Sequence, residues 1–157
     1  MPLKKPQSNI IMKFTCTAYI HKSQQIVVDL FKNPDYLHKY QEGFQKKELI
    51  SGKAWEVGAV SMLYYQNGKR KMELKETVLK SDFPNEFLAK YFHTHTENTM
   101  RSTFSVISES ETRYDAEVHY TKFKGAIVKI MAFLFPSFFK KQVQKWLTNF
   151  KIFVEKQ

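Results

Sequence analysis

The stripe Phe139, Val143, Trp146, Leu147, Phe150, Phe153 and Val154 constrains this chain more than any other feature. Its members recur at steps of three and four, while Lys140, Lys141, Lys145 and Lys151 fall on the other side. That pattern is an amphipathic helix with one apolar face. About 18 residues at 1.5 Å each give it about 27 Å, enough to span a small domain. A second set, Phe123, Ile127, Ile130, Met131, Leu134 and Phe135, fits a preceding helical turn that Pro136 breaks or kinks. The long helix must bury its stripe, and the rest of the chain supplies the surface.

That surface is a sheet. Phe14, Cys16, Ala18 and Ile20 alternate with Thr15, Thr17, Tyr19 and His21, as a half-buried strand does. Ser23 is an N-cap for a helix carrying Ile26, Val27, Leu30 and Phe31. Asn33-Pro34-Asp35 stops it and starts a second short helix, which ends near Gly43. Strands are expected at 45–51, 59–66, 69–81, 86–93, 98–108 and 112–121. Asn67-Gly68 is a hairpin signal of type I′. Short connections favour an antiparallel meander. One apolar sheet face needs a cover, and the last helix is the only long amphipathic element available. A sheet that curls around one helix leaves a space, filled by side chains or open as a ligand cavity.

Composition bounds the class. The 157 residues fit one domain that needs no disulfide or metal to hold it. Residues 1–11 read as a flexible tail ahead of a single domain at 12–157. The lone cysteine, Cys16, forms no internal disulfide and points to a reducing, cytoplasmic setting. No secretory signal follows Lys4 and Lys5, because Pro6–Asn9 is polar. The longest apolar run, Ala126–Phe139, is interrupted by Lys129, Pro136 and Ser137 and is too short for a transmembrane helix. The net charge is +10, of which +7 falls in residues 122–157.

The order and spacing of three features resemble the START-related (SRPBCC) superfamily, and most closely its small bacterial polyketide-cyclase/START-like proteins. The first is Phe14–Ile20 running through His21-Lys22-Ser23 into Val27, Leu30, Phe31 and Asn33-Pro34-Asp35. The second is Tyr40 with Gly43-Phe44, where many relatives carry Trp in place of Tyr40. The third is Phe138–Glu155, with Phe150-Lys151 and Glu155 at its end. The resemblance covers residues 12–156 and implies an α+β helix-grip fold: a curved seven-stranded antiparallel sheet around a long C-terminal helix, with two short helices after the first strand. It does not choose a function, because the superfamily holds carriers, sensors, cyclases and hydrolases on one scaffold.

Familiar catalytic motifs are absent: no GxSxG, HExxH, CxxC or phosphate-cradling glycine loop occurs. Glu76 is the sharpest polar anomaly, since it shares parity with Met72, Leu74 and Val78. A carboxylate on that face must be paired, hydrated or protonated. It is read as turned outward by a β-bulge or strand end, as an internal structural pair with a Tyr or Arg, as a ligand-orienting group or as an acid/base. His93 and His95 share a strand parity with Glu97, but the hairpin must turn within Thr94–Asn98 and break that face, so no metal site is assigned. Cys16 reads as a small buried hydrophobe, and Trp55 as a guard of a cavity mouth or a lid over the core. The expected cavity walls are Met62, Tyr64, Leu74, Glu76, Tyr91, Phe104, Tyr120, Phe139 and Val143.

Three functions follow. The first is binding or carrying a small hydrophobic, lipid-like or polyketide-like molecule, with no cofactor. The second is an enzyme of cyclase or dehydratase type with Glu76 as acid/base. The third is a membrane- or partner-binding module, in which Lys122, Lys124 and Lys129 flank the apolar Phe133–Phe139 and make weak contact with anionic lipid. Nucleic acid is disfavoured, because only Arg70, Arg101 and Arg113 are arginines and no aromatic-plus-basic RNA motif is present.

Overall fold

The computed structural model describes residues 11–157. The alternating segments form seven strands: β1 Met12–Ile20, β2 Phe44–Ser51, β3 Val60–Asn67, β4 Arg70–Asp82, β5 Glu86–Phe92, β6 Thr96–Ser108 and β7 Glu111–Phe123. They make one antiparallel sheet in the order β1-β7-β6-β5-β4-β3-β2. The chain is a meander from β2 to β7, and β1 closes onto the last strand, with Met12 opposite Tyr120 and Ile20 opposite Thr112. The expected tail lies outside the described residues except for Ile11, whose N–H donates to the Tyr120 carbonyl at 2.8 Å.

The links between β1 and β2 are helical: α1 Gln24–Phe31, a 3₁₀ turn Pro34–Tyr36, and α2 Leu37–Tyr40. Ser23 takes the N-cap position of α1, but its side chain makes no capping bond. Asn33 does cap, its side-chain oxygen accepting from the Asp35 N–H at 3.0 Å, with Pro34 in the first helical position. After β7 come α3 Ala126–Leu134 and α4 Pro136–Glu155, separated by Phe135. Pro136 therefore separates two helices rather than kinking one. It begins the new helix, where its missing N–H costs nothing.

Helix α4 lies along the concave face of the sheet and buries Val143, Leu147, Phe150 and Val154. It also covers the open edge of β1. The Gln144 amide donates to the Thr17 carbonyl at 3.1 Å, Lys151 Nζ donates to the Tyr19 carbonyl at 2.7 Å, and Glu155 accepts from the His21 N–H at 2.8 Å. An edge strand with unpaired backbone groups invites pairing with another chain, and these polar side chains occupy those groups. The core under α4 includes Cys16, Ile20, Val27, Phe104, Tyr114 and Val118. Phe31 of α1 packs against it, with ring centroids 5.0 Å from Phe104, 6.0 Å from Tyr114 and 6.2 Å from Phe150.

One detail of the hairpins differs from expectation. The β3–β4 turn is Gly68-Lys69, one residue later than Asn67-Gly68, with Asn67 paired to Arg70. Gly68 takes φ +61° and Lys69 does not go positive, which is the pattern of a type II′ turn. His93 and His95 belong to the tight β5–β6 turn, where the His93 N–H donates to the Thr96 carbonyl at 2.9 Å.

Candidate functional site: a cavity between sheet and helix

The concave face is not filled. A cavity of about 370 Å³ lies between β3–β7, α2, α3 and α4, lined mainly by aromatic, Leu, Val and Met side chains. Its exposed lining residues, Arg70, His95 and Phe138, put the opening between the β3–β4 and β5–β6 hairpins and the α3–α4 junction. Phe31, Trp55 and Phe87 line the opposite end.

A buried polar constellation stands in this largely apolar space. Glu76 of β4 is 4% exposed. Its Oε1 is 2.7 Å from Lys47 Nζ of β2, and its Oε2 accepts from the Tyr91 hydroxyl of β5 at 2.9 Å. Burial, reinforced by the neighbouring Glu76 charge, holds the Tyr91 phenol well above its ordinary pKa, so it stays protonated and donates. Lys47 also lies 4.4 Å from the Trp55 ring centroid, a cation–π contact on the far side of its ammonium. The buried charge is therefore paired and hydrogen-bonded on both oxygens, as burial demands.

Trp55 holds the closed end. It is the one non-glycine among the described residues with positive φ, +68°. That conformation is costly for a bulky side chain. It is held by ring contacts to Phe87 at 5.3 Å, Phe83 at 5.9 Å and Phe31 at 6.1 Å. Behind Trp55, Lys47 and Glu76 lies a second space of about 110 Å³, so these three side chains form a partition.

Nearer the opening, Tyr120 packs on Phe123 and Phe139, each at 5.2 Å between centroids. Burial pushes its phenol up to about 12. His93 also lines the cavity, 5.5 Å from His95 between ring centroids. Partial burial, and then the neighbouring His95, lower its pKa, which favours the neutral ring. Trp146 stacks on Tyr65 with 9° between planes. Its indole N–H has no acceptor among the described residues, and the Tyr65 hydroxyl donates to Gln41 at 2.6 Å.

Of the side chains expected as walls, Leu74, Glu76, Tyr91, Tyr120, Phe139 and Val143 line the cavity. Met62 and Tyr64 do not. They lie on the opposite face of β3, where the Tyr64 hydroxyl donates to Glu48 at 3.1 Å and Lys46 sits 4.8 Å from its ring centroid. Their neighbours Leu63 and Tyr65 take the inner positions, because antiparallel pairing sets Leu63 opposite Leu74 and Tyr65 opposite Met72. Phe104 is buried but packs into the core, stacked on Tyr114 at 4.8 Å. The β6 positions on the cavity are Thr96, Asn98 and Met100.

Lys47 went unrecognised in the sequence because β2 carries a bulge. The register slips between Phe44 and Lys46, which puts Phe44 and Lys47 on the same face despite their odd separation. Nothing in the local pattern marks that slip. Cys16 is where its alternation put it, 1% exposed, with its thiol pushed up by burial and donating weakly to the Lys140 carbonyl at 3.5 Å.

This arrangement is a helix-grip fold, a curved seven-stranded antiparallel sheet around a long C-terminal helix. No family model matches the chain, and no curated protein matches its sequence. Solved structures do match in shape. The Zhui aromatase/cyclase from Streptomyces sp. R1128 superposes with a TM-score of 0.74 at 8% identity, over 92% of this chain and 93% of its own. A conserved protein from Geobacillus kaustophilus gives 0.74 at 13% identity, over 92% and 96%. Major latex-like protein 151 from Panax ginseng gives 0.67 at 15% identity, over 89% and 95%. At such identities the likeness concerns the fold. No helix among the described residues is long and apolar enough to cross a membrane.

Proposed function

We propose that the chain binds and carries a small, largely hydrophobic molecule bearing one polar group. The observation that carries this reading is a cavity of about 370 Å³ whose apolar walls enclose a single buried ion pair, Lys47–Glu76. The volume falls in the range of small-molecule sites, roughly 300–1,000 Å³. Apolar burial supplies affinity, and the few polar groups supply orientation. Lys47, whose ammonium has N–H bonds beyond the one given to Glu76, is the donor for a ligand oxygen, and the remaining lone pairs of Glu76 and the Tyr91 hydroxyl oxygen are acceptors for a ligand hydroxyl.

The test is mass spectrometry of small molecules released when the purified protein is denatured, paired with titration of the empty protein by the apolar fluorophore 1-aminoanthracene. Saturable binding at one site, competed by the released molecule, is the expected result. No released molecule together with no saturable fluorophore binding would sink the reading.

A cyclase or dehydratase reading draws on the same residues. Glu76 faces the cavity, the neutral form of His93 lines it, and one of the structural neighbours is an aromatase/cyclase. Against proton transfer by Glu76, both its oxygens are already engaged. Turnover of a poly-β-ketone substrate that falls on Glu76→Gln substitution would favour this second reading over the carrier.

A further inference from the structure

Helix α3 is built unlike the rest of the molecule. It is nearly all apolar, yet none of its nine residues is buried. Phe133 is 82% exposed and Ile127 76%, and Ile130, Leu134, Phe135 and Phe138 are exposed beside them. Six large apolar side chains within twelve residues form a continuous patch of the kind that folded proteins keep for a partner.

The charges around the patch have one sign. From Val118 to Val154 the chain has no Asp or Glu. Lys122, Lys124, Lys129, Lys140 and Lys141 are exposed, and none makes an ion pair among the described residues. The acid opposite Lys122 in the sheet, Glu97, is 2.6 Å from Lys90 instead. Lys145 and Lys151, farther along α4, do have carboxylate partners, Glu42 and Glu155. Within residues 118–154 the lysines without a carboxylate partner are thus those nearest in sequence to the apolar patch.

We propose that α3 and the first turn of α4 are a docking face for an anionic lipid bilayer. Apolar side chains on a helix lying in the interface enter the acyl boundary, while lysines beside them meet the headgroups. This pairing of chemistries fits a bilayer better than an acidic protein, which would leave six large apolar groups in water. The inner side of the same helix, Val128 and Met131, lines the cavity. Docking therefore sets the bilayer against the outer face of a cavity wall.

The test is flotation of the full chain with phosphatidylcholine vesicles and with vesicles of phosphatidylcholine and phosphatidylglycerol at about 3:1, in about 50 mM and about 500 mM NaCl, with light scattering of the protein alone. The expected result is flotation with the anionic vesicles at low salt, weakened at least about tenfold at high salt. Ile130→Glu with Phe133→Glu should cost at least about tenfold. Both positions are exposed, so the fold is kept, as circular dichroism would verify. Lys122→Gln, Lys124→Gln and Lys129→Gln together should flatten the salt dependence. Phe133→Trp should give a blue-shifted emission with anionic vesicles, read as the difference from the unsubstituted chain. Absence of flotation at low salt, equal flotation with neutral vesicles, or no change in the added indole's emission overturns the proposal. So does a dimer that Ile130→Glu with Phe133→Glu dissociates without any vesicle binding, since a second copy then covers the face. Neither result depends on whether the cavity holds a ligand.

Discussion

Lys47 and Glu76 meet across an intervening strand. They lie on β2 and β4, with β3 running between them, yet Nζ and Oε1 are 2.7 Å apart. Neighbouring strands are about 4.8 Å apart, so the pair bridges about 10 Å of sheet. It does so over Ser61, the β3 residue opposite Glu76, whose small side chain leaves the path clear. The contact ties three strands together at the floor of the cavity.

Removing one partner of this pair leaves a charge without its counterion in an apolar space. Glu76→Leu or Lys47→Met alone should lower stability by about 3–5 kcal/mol, whereas the double variant should recover most of that loss. Urea unfolding of the three variants measures the difference. A loss in the double variant equal to the sum of the two single losses would mean that the pair contributes nothing as a pair.

The buried tyrosines predict an alkaline limit. Burial raises the phenols of Tyr40, Tyr65, Tyr91, Tyr114 and Tyr120, the last to about 12. An unfolded tyrosine loses its proton near about pH 10, whereas these retain it in the folded state. Their contribution to stability is therefore fully present below about pH 10 and is lost as pH rises through the folded values, by about 1.4 kcal/mol per pH unit for each such group. Tyrosinate absorbance in the near ultraviolet should show these residues ionising together with loss of near-ultraviolet circular dichroism. Full ionisation near about pH 10 with the fold intact would contradict it.

Both tryptophans, Trp55 and Trp146, line the cavity. Occupancy by an apolar molecule should therefore change the intrinsic fluorescence without any label. Trp55→Ala should cost about 3–5 kcal/mol through lost packing and join the main cavity to the smaller space behind it. The variant should accept a bulkier fluorophore than the parent does, as measured by titration.

Cys16 should be inert in the native protein. Its sulfur is buried and its thiol is held protonated by burial, and only the thiolate reacts. Reaction with a chromogenic disulfide should wait for unfolding and follow the urea transition. Rapid labelling in native buffer would show that α4 opens over β1.

Much of the inner surface could be read from the sequence. Parity along β4 and β5 put Leu74, Glu76 and Tyr91 on one side, and the α4 stripe put Phe139 and Val143 opposite them. The hairpin signal also contained the correction to β3. Across a two-residue turn after β3, even-numbered positions of β4 face odd-numbered positions of β3, so an inward Leu74 requires Leu63 and Tyr65 rather than Met62 and Tyr64. Local alternation misled because both faces of β3 are apolar enough to serve as the inner one.

The elements, their antiparallel order and the face that α4 buries were all written in the residue order, because they follow from the short-range periodicity of apolar side chains. Three features were not: the space under α4 stays open, Lys47 is the partner of Glu76, and α3 leaves its apolar face uncovered. Each depends on distances between segments far apart in the chain. The bulge in β2 turns Lys47 inward, and the sheet's curvature holds β3–β5 away from α4. No local pattern encodes either, since both arise from how the strands pair and bend together.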